Sequence, residues 1–171
     1  KRIDFYINDQ IDIPCNWIWT TLESISQINP RNDGIDDETE VSFLPMEVIP
    51  QGFKGDYERR YRLWRDVKAG FTHIADNDVI VAKITPCFQN RKSIVVKGLL
   101  SGFGAGTTEL HVIRTNPNQI NSYYVLLFLK SPNFIQDGII NMTGSAGQKR
   151  VPKNYLTKSS FPLPPVAEQH R

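Results

Sequence analysis

The stretch Asp78-Val79-Ile80-Val81-Ala82-Lys83-Ile84 reads as a β-strand: it is rich in β-branched residues and bounded by Asn77-Asp78 before and Pro86 after. Ser93-Ile94-Val95-Val96 reads as a second strand. Gly102-Phe103-Gly104-Ala105-Gly106 reads as a glycine-rich link to a third, Thr107 to Arg114, whose mixed alternation predicts partial cover on both faces. Upstream, Val41-Ser42-Phe43-Leu44 is a strand stopped by Pro45. Thr20 or Thr21 caps a short helix through Leu22, Ile25 and Ile28, ended by Asn29-Pro30. The end of the stretch Arg59 to Lys68 is expected to form one or two helical turns stopping at Gly70. Asn121 or Ser122 caps a helix carrying Tyr124, Leu127 and Phe128, and a second helix from Ser131 or Pro132 carries Phe134, Ile135 and Ile139. Tyr123, Tyr124, Leu127 and Phe128 are assigned to the core. Strands and helices in this irregular order predict an α+β fold: a single globular domain with a twisted, mostly antiparallel or mixed sheet and a few packed helices.

The 171 residues suffice for one domain with a core that needs no metal or disulfide. Cys15 and Cys87 are not spaced as a disulfide framework or a C-x-x-C pair and read as free thiols, consistent with a cytoplasmic protein. The longest apolar run, Tyr123 to Leu129, is far shorter than the roughly 20 residues of a membrane span. The opening Lys1-Arg2-Ile3-Asp4 has no apolar signal region and no initiator Met, so the chain is expected to be a piece of a longer protein. The net charge of +2 hides an asymmetry. Residues 1–82 hold nine Lys/Arg and fifteen Asp/Glu, whereas residues 83–158 hold ten Lys/Arg and only Glu109 and Asp137. A half this basic suits a polyanion, the plain alternative being a solvated surface.

The chemistry of catalysis finds no support. Gly102 to Gly106 has a nucleotide-loop composition, but the strand-like Thr107-Thr108-Glu109-Leu110 follows where a phosphate-binding helix would be needed. No Asn/Asp/Ser-Pro-Pro-aromatic tetrapeptide marks a methyltransferase base pocket; Leu163-Pro164-Pro165-Val166 lacks both ends of it. Asp56 and Asp66-Val67-Lys68 match a nuclease carboxylate–lysine set only in composition, since Asp56 lies in a glycine-containing loop. His73, His111 and His170 show no metal-ligand spacing, and no G-x-S-x-G elbow occurs.

Four segments, in order, resemble signatures of type I restriction–modification specificity subunits: Asp78 to Asn90, Gly102 to Arg114, Thr143-Gly144-Ser145-Ala146-Gly147-Gln148-Lys149-Arg150-Val151-Pro152, and Phe161-Pro162-Leu163-Pro164-Pro165-Val166-Ala167-Glu168-Gln169. Ile13-Pro14 with Asn16-Trp17 is similar to the family's Pro-x-Gly-Trp opening, with Asn16 for Gly in what is expected to be a left-handed turn. The resemblance implies a target-recognition domain over residues 13–165. An extension or linker at 1–12 precedes it, and the start of a spacer helix follows at 166–171. It further implies a non-catalytic role: one half of a split sequence in double-stranded DNA is read by this domain. Methyltransferase (modification) subunits methylate adenine with S-adenosylmethionine, and a restriction motor-nuclease subunit uses ATP and Mg; no cofactor belongs to this chain. A single-chain restriction–methylation enzyme as parent, and a basic protein-interaction module, are the alternatives.

Within such a domain, phosphate contacts are expected from Lys83, Arg91, Lys92, Gln148, Lys149, Arg150 and Lys153, the turn Gly144 to Gly147 bringing backbone N–H groups close. Base reading is expected from the loops, through Arg31, Asn32, Arg59, Arg60, Tyr61, Arg62 and Arg65, because Arg grips guanine and Asn adenine bidentately. Trp64 interleaves with them but fits a core or rim aromatic better. Arg59 and Arg62 have Asp56 and Glu58 close in sequence as alternative salt-bridge partners.

Overall fold

The computed structural model describes residues 12–53 and 55–170. The expected extension at 1–12 lies outside them apart from Asp12. In chain order the elements are β1 (Ile18–Thr21), α1 (Leu22–Ile25), β2 (Ser26–Ile28), β3 (Glu40–Leu44), β4 (Arg60–Leu63), α2 (Trp64–Val67), β5 (Thr72–Ala75), β6 (Val79–Ala82), β7 (Ser93–Val95), β8 (Phe103–Gly106), β9 (Leu110–Thr115), α3 (Ser122–Leu129), α4 (Pro132–Ile140), α5 (Lys153–Lys158) and β10 (Ser160–Leu163).

The strand read most clearly from sequence, β6, is central. It lies in an antiparallel sheet of order β2-β9-β6-β7, against a second, mixed sheet of order β4-β3-β8-β5; β1 and β10 form a separate antiparallel ribbon. Alternation along β6 explains the layering. Val79 and Val81 face a cluster with Val125 and Leu129 of α3, Phe134 of α4, and Tyr155 and Leu156 of α5. Ile80 and Ala82 face the opposite way, packing with Leu44 and Ile74 of the second sheet. Both faces of β6 are therefore covered, each fully buried Ile, Leu or Val contributing about 1.5–3 kcal/mol. A smaller cluster of Val41, Trp64, Val67 and Ala105 lies beyond the second sheet, so Trp64 is a core aromatic.

Several expectations change. The stretch Phe103 to Gly106 is not a link but strand β8, parallel to β3 and antiparallel to β5. Its glycines allow close approach: a Cβ on Gly104 would stand 2.1 Å from the Ser42 carbonyl oxygen. Gly104→Ala is therefore expected to cost about 1–3 kcal/mol by overpacking between two backbones, measured as the shift in urea midpoint; an unchanged midpoint would contradict the packing. The helix expected through Ile28 stops after one turn at Ile25, and Ser26–Ile28 pairs with Thr115–Ile113 of β9, sheet pairing overriding local periodicity.

The caps on α3 and α4 fall where expected, with Asn121 accepting from Tyr123 N–H and Ser131 from Phe134 N–H. The face of α3 does not: Tyr123 and Leu127 are exposed, Tyr124 and Phe128 half-buried, and Val125 and Leu129 fill the core. With apolar side chains all round this helix, periodicity could not single out its inner face. Asn16 does not adopt the expected left-handed conformation. Residues 166–170 form a turn held by Glu168 N–H and Gln169 N–H to the Pro165 carbonyl. Strand β5 and helix α5 have no counterpart in the sequence reading. No helix of the described residues is long and apolar enough to cross a membrane.

Candidate nucleic-acid interface

The antiparallel register sets Ala82 of β6 beside Leu110 of β9, and Val81 beside Ser93 of β7, so the residues just past these strand ends share one edge. Lys83 N–H donates to the Glu109 carbonyl, and the Lys83 carbonyl accepts from Val151 N–H. Ile84 bridges to Arg150, and Thr85 N–H donates to the Lys149 carbonyl. The segment 143–153 is thereby stitched onto the end of β6, carrying Gln148, Lys149, Arg150 and Lys153 to Lys83. On the other side Lys92 Nζ donates to the Met46 carbonyl (2.9 Å), and the adjacent Glu47 pairs with Arg60 (2.8 Å). Arg60 and Lys92 beside Glu47, and Lys83, Lys149 and Arg150 beside Glu109, form a rim joined through the Ala82 N–H bond to the Lys92 carbonyl; of these five cations only Arg60 and Arg150 pair with a carboxylate among the described residues.

The groups of the rim differ in availability. Arg150 grips Glu109 through Nη2 (2.7 Å) and Nε (2.9 Å) and also donates to Gln148 O (3.1 Å). These bonds hold the Glu109 carboxyl below its usual range. The sequence marks Glu109 as one of two acids in the basic half but offers no partner for it; the fold makes it the counter-ion of Arg150. Lys149 and Lys153 are exposed and Lys83 is half-buried, and among the described residues none of the three ammonium groups meets a carboxylate. Arg91 turns inward, its Nε donating to Lys130 O (3.0 Å). Lys130, only 3% exposed, donates from Nζ to the carbonyls of Gly52, Arg91 and Ser93, and burial lowers its pKa to about 8. Nothing in the sequence distinguished it from a surface lysine.

Beneath the rim His111 is buried. Its Nε2–H donates to Val151 O (3.0 Å), so Nδ1 accepts from Asn29 Nδ2 (3.3 Å). Burial lowers its pKa to about 4, keeping the ring neutral. Asn29, at φ 53°, also exchanges bonds with both backbone groups of Val112, tying the chain before the Arg31 loop to β9.

The residues expected to read bases do not form one cluster. Arg60, Tyr61 and Arg62 lie on β4, the edge strand of its sheet, and all three are exposed. Arg60 and Arg62 share a face by strand alternation; Arg62 lies over the Phe43 ring at 5.6 Å. Arg59 is directed inward, donating from Nη2 to Lys97 O (2.8 Å) and lying over the Tyr57 ring, and pairs with neither Asp56 nor Glu58. Arg65 pairs with Glu38 and stands apart from the rim among the acids of the 36–40 loop. Arg31 is exposed and donates to Lys68 O (3.2 Å).

Asn32 is committed internally. Its Nδ2 donates to Ile74 O (2.9 Å), its Oδ1 accepts from Arg114 (3.0 Å), and its backbone N–H donates to His73 Nδ1 (2.9 Å). One N–H and one oxygen lone pair of the amide are thus committed to the fold, which pins the group in place and leaves one N–H and one lone pair. Arg31 and Asn32 line an open cavity of about 540 Å³ with Arg114, Phe103, Asp33 and Asp36. Among the described residues no group of His, Cys, Asp and Glu is placed to hold a metal ion, and both cysteines are free.

No family model matches the chain. Over 160 residues it is 51% identical to the type I restriction enzyme EcoAI specificity subunit and 48% identical to the EcoEI specificity subunit, both of Escherichia coli. The chain is homologous to type I restriction enzyme specificity subunits. The matches cover 94% of the chain and 27% of each specificity subunit, so it spans about a quarter of their length. Its fold matches that of solved specificity subunits. The HsdS subunit of Thermoanaerobacter tengcongensis superposes with a TM-score of 0.74 at 21% identity, over 95% of this chain and 41% of that one. A chain from a structure of type I R-M complex assembly and conformational transition gives 0.73 at 20% identity, over 94% and 41%. The S subunit of a type I restriction–modification system from M. genitalium gives 0.53 at 14% identity, over 97% and 38%.

Proposed function

We propose that this chain is a DNA target-recognition domain of a type I restriction–modification specificity subunit, a component that reads sequence and leaves catalysis to others. The observation that carries the reading is half-identity to two specificity subunits across nearly the whole chain. The connected basic rim supplies a physical means. Lys83, Lys149 and Lys153 would contact phosphates, with Arg150, Lys92 and Gln148 beside them, setting affinity and register without sequence information. Arg60, Tyr61 and Arg62 on the exposed edge strand adjoin that rim through Glu47 and would meet base edges, with Arg31 as an outlying contact. Asn32 is left out of this set because its amide is pinned to Ile74 and Arg114, Arg59 and Arg91 because they donate to backbone carbonyls within the fold, and Arg65 because it stands apart from the rim beside Glu38. The partners are methyltransferase and motor-nuclease subunits in the cytoplasm, and S-adenosylmethionine, ATP and Mg would bind to them.

Sequencing of modified bases in genomic DNA with and without the intact gene tests the reading. A motif whose adenine methylation disappears with the gene is expected, and a methylation pattern independent of the gene rejects the proposal. In the assembled methyltransferase, Arg60→Ala or Arg62→Ala is expected to cost about 1–3 kcal/mol and relax one target position. Methylation of a randomised target library measures this, and unchanged discrimination at every position removes β4 from the contact set.

A further inference from the structure

The segment leaving β10 is bound into the domain by side chains rather than by packing alone. Glu168 accepts from Trp17 Nε1 (2.7 Å) with one carboxylate oxygen and from Asn16 Nδ2 (2.6 Å) with the other. Gln169, only 6% exposed, uses its whole amide: Oε1 accepts from Asn121 N–H (2.7 Å), and Nε2 donates to Pro164 O (3.1 Å) and Gln119 O (3.2 Å). Asn121 returns a bond from Nδ2 to Gln169 O (3.2 Å) while its own Oδ1 caps α3. One side of this connection is the turn entering β1, which pairs with β10 along its whole length. The other is the first turn of α3, whose Ser122 hydroxyl donates to Asn77 O (2.7 Å) just before β6. Consecutive side chains thus join both exits of the domain to each other and to its central sheet.

From this geometry we infer that Glu168 and Gln169 are positioning residues. They weld the entering and leaving chain into one rigid joint, which fixes the direction of the domain relative to whatever protein adjoins it. Five charge-assisted or amide hydrogen bonds tie Glu168 and Gln169 to parts of the chain 48 to 152 residues away. The joint is independent of what the domain binds. Its consequence, that the separation between this domain's target and a second one is enforced, rests on the recognition function proposed above.

The joint is read first without DNA, in the full-length protein with Cys15 and Cys87 replaced by serine. One nitroxide is carried by Asn133→Cys, an exposed position of α4, and a second by the adjoining part of the protein; pulsed electron resonance gives their distance distribution. A narrow distribution is expected, whose width roughly doubles in the Glu168→Ala, Gln169→Ala double variant as relative domain motion is released. A broad distribution in the parent protein, or an equal width in the folded variant, overturns the inference. Should the double variant fail to fold, Glu168→Gln, which keeps the shape but turns one of the two accepting oxygens into a donor, takes its place: partial broadening supports the joint and none overturns it. In the assembled methyltransferase, the preference for the native target separation over one altered by a single base pair is expected to fall about tenfold. A parent protein without sequence preference defeats the recognition function, while the distance measurement still judges the joint.

Discussion

Replacing Lys83, Lys149 and Lys153 together by alanine is expected to weaken binding of duplex DNA about 100-fold at about 0.15 M salt. The magnitude follows from counterion release. Each phosphate contact contributes about 0.9 to the slope of log affinity against log salt, so at that concentration each is worth roughly fivefold. The three ammonium groups meet no carboxylate among the described residues, so no internal ion pair has to break when they engage DNA. Titrations at several salt concentrations should show the slope falling by about 2.7, with the loss equal for cognate and unrelated sequences. A slope that stays put would mean the rim faces something other than phosphate. Arg150→Ala is the informative contrast: it removes one cation but also releases Glu109 from its partner, so the rim would carry a newly unpaired carboxylate.

Asp78→Ala should lower stability by about 3 kcal/mol. Asp78 is 1% exposed, accepts two bonds from Arg114 (2.8 Å each) and one from Ala75 N–H (2.7 Å). Burial raises its pKa despite the hydrogen bonds and charge of Arg114, so desolvation outweighs the pairing and the ion pair is not a large net source of stability. Removing one member is a different matter, because it strands Arg114 and the Ala75 N–H. Losses of about 3–5 kcal/mol are usual for a broken buried pair, and the lower end applies here because Arg114 keeps a quarter of its side chain in solvent. Chemical denaturation measures the effect, and a loss below about 1 kcal/mol would show that Arg114 finds water freely. The same pair holds Asn32 through Arg114, so the variant should also loosen the Arg31 loop.

What could be read from sequence was what depends on neighbours in the chain. The strands β6 and β7, the Asn121 and Ser131 caps and the α+β class are all local signals. The failures share a cause in partners far away. Gly104 looked like part of a link because only the Ser42 backbone, 62 residues earlier, makes a glycine strand necessary. Asn32 looked like a base-gripping amide because Ile74 and Arg114, which pin it, lie 42 and 82 residues on. Arg65 and Arg91 are cations like Lys149, and only the fold separates those spent on Glu38 or Lys130 from those left outward. Of the site, the sequence asymmetry located the half that bears the rim, while the pairing of Arg150 with Glu109 and the junction with β4 required the sheets to be assembled.

Strand β4 hydrogen-bonds to a single neighbour, β3, and sends three long side chains outward. Substitution at Arg60, Tyr61 or Arg62 removes no member of an apolar cluster, and only Arg62 touches the edge of one, over the Phe43 ring. Natural variation there is cheap, and a lineage can exchange these side chains repeatedly while inheriting the same scaffold. On the recognition function proposed above, a new target preference would then arise by trading a few surface residues rather than by rebuilding a protein.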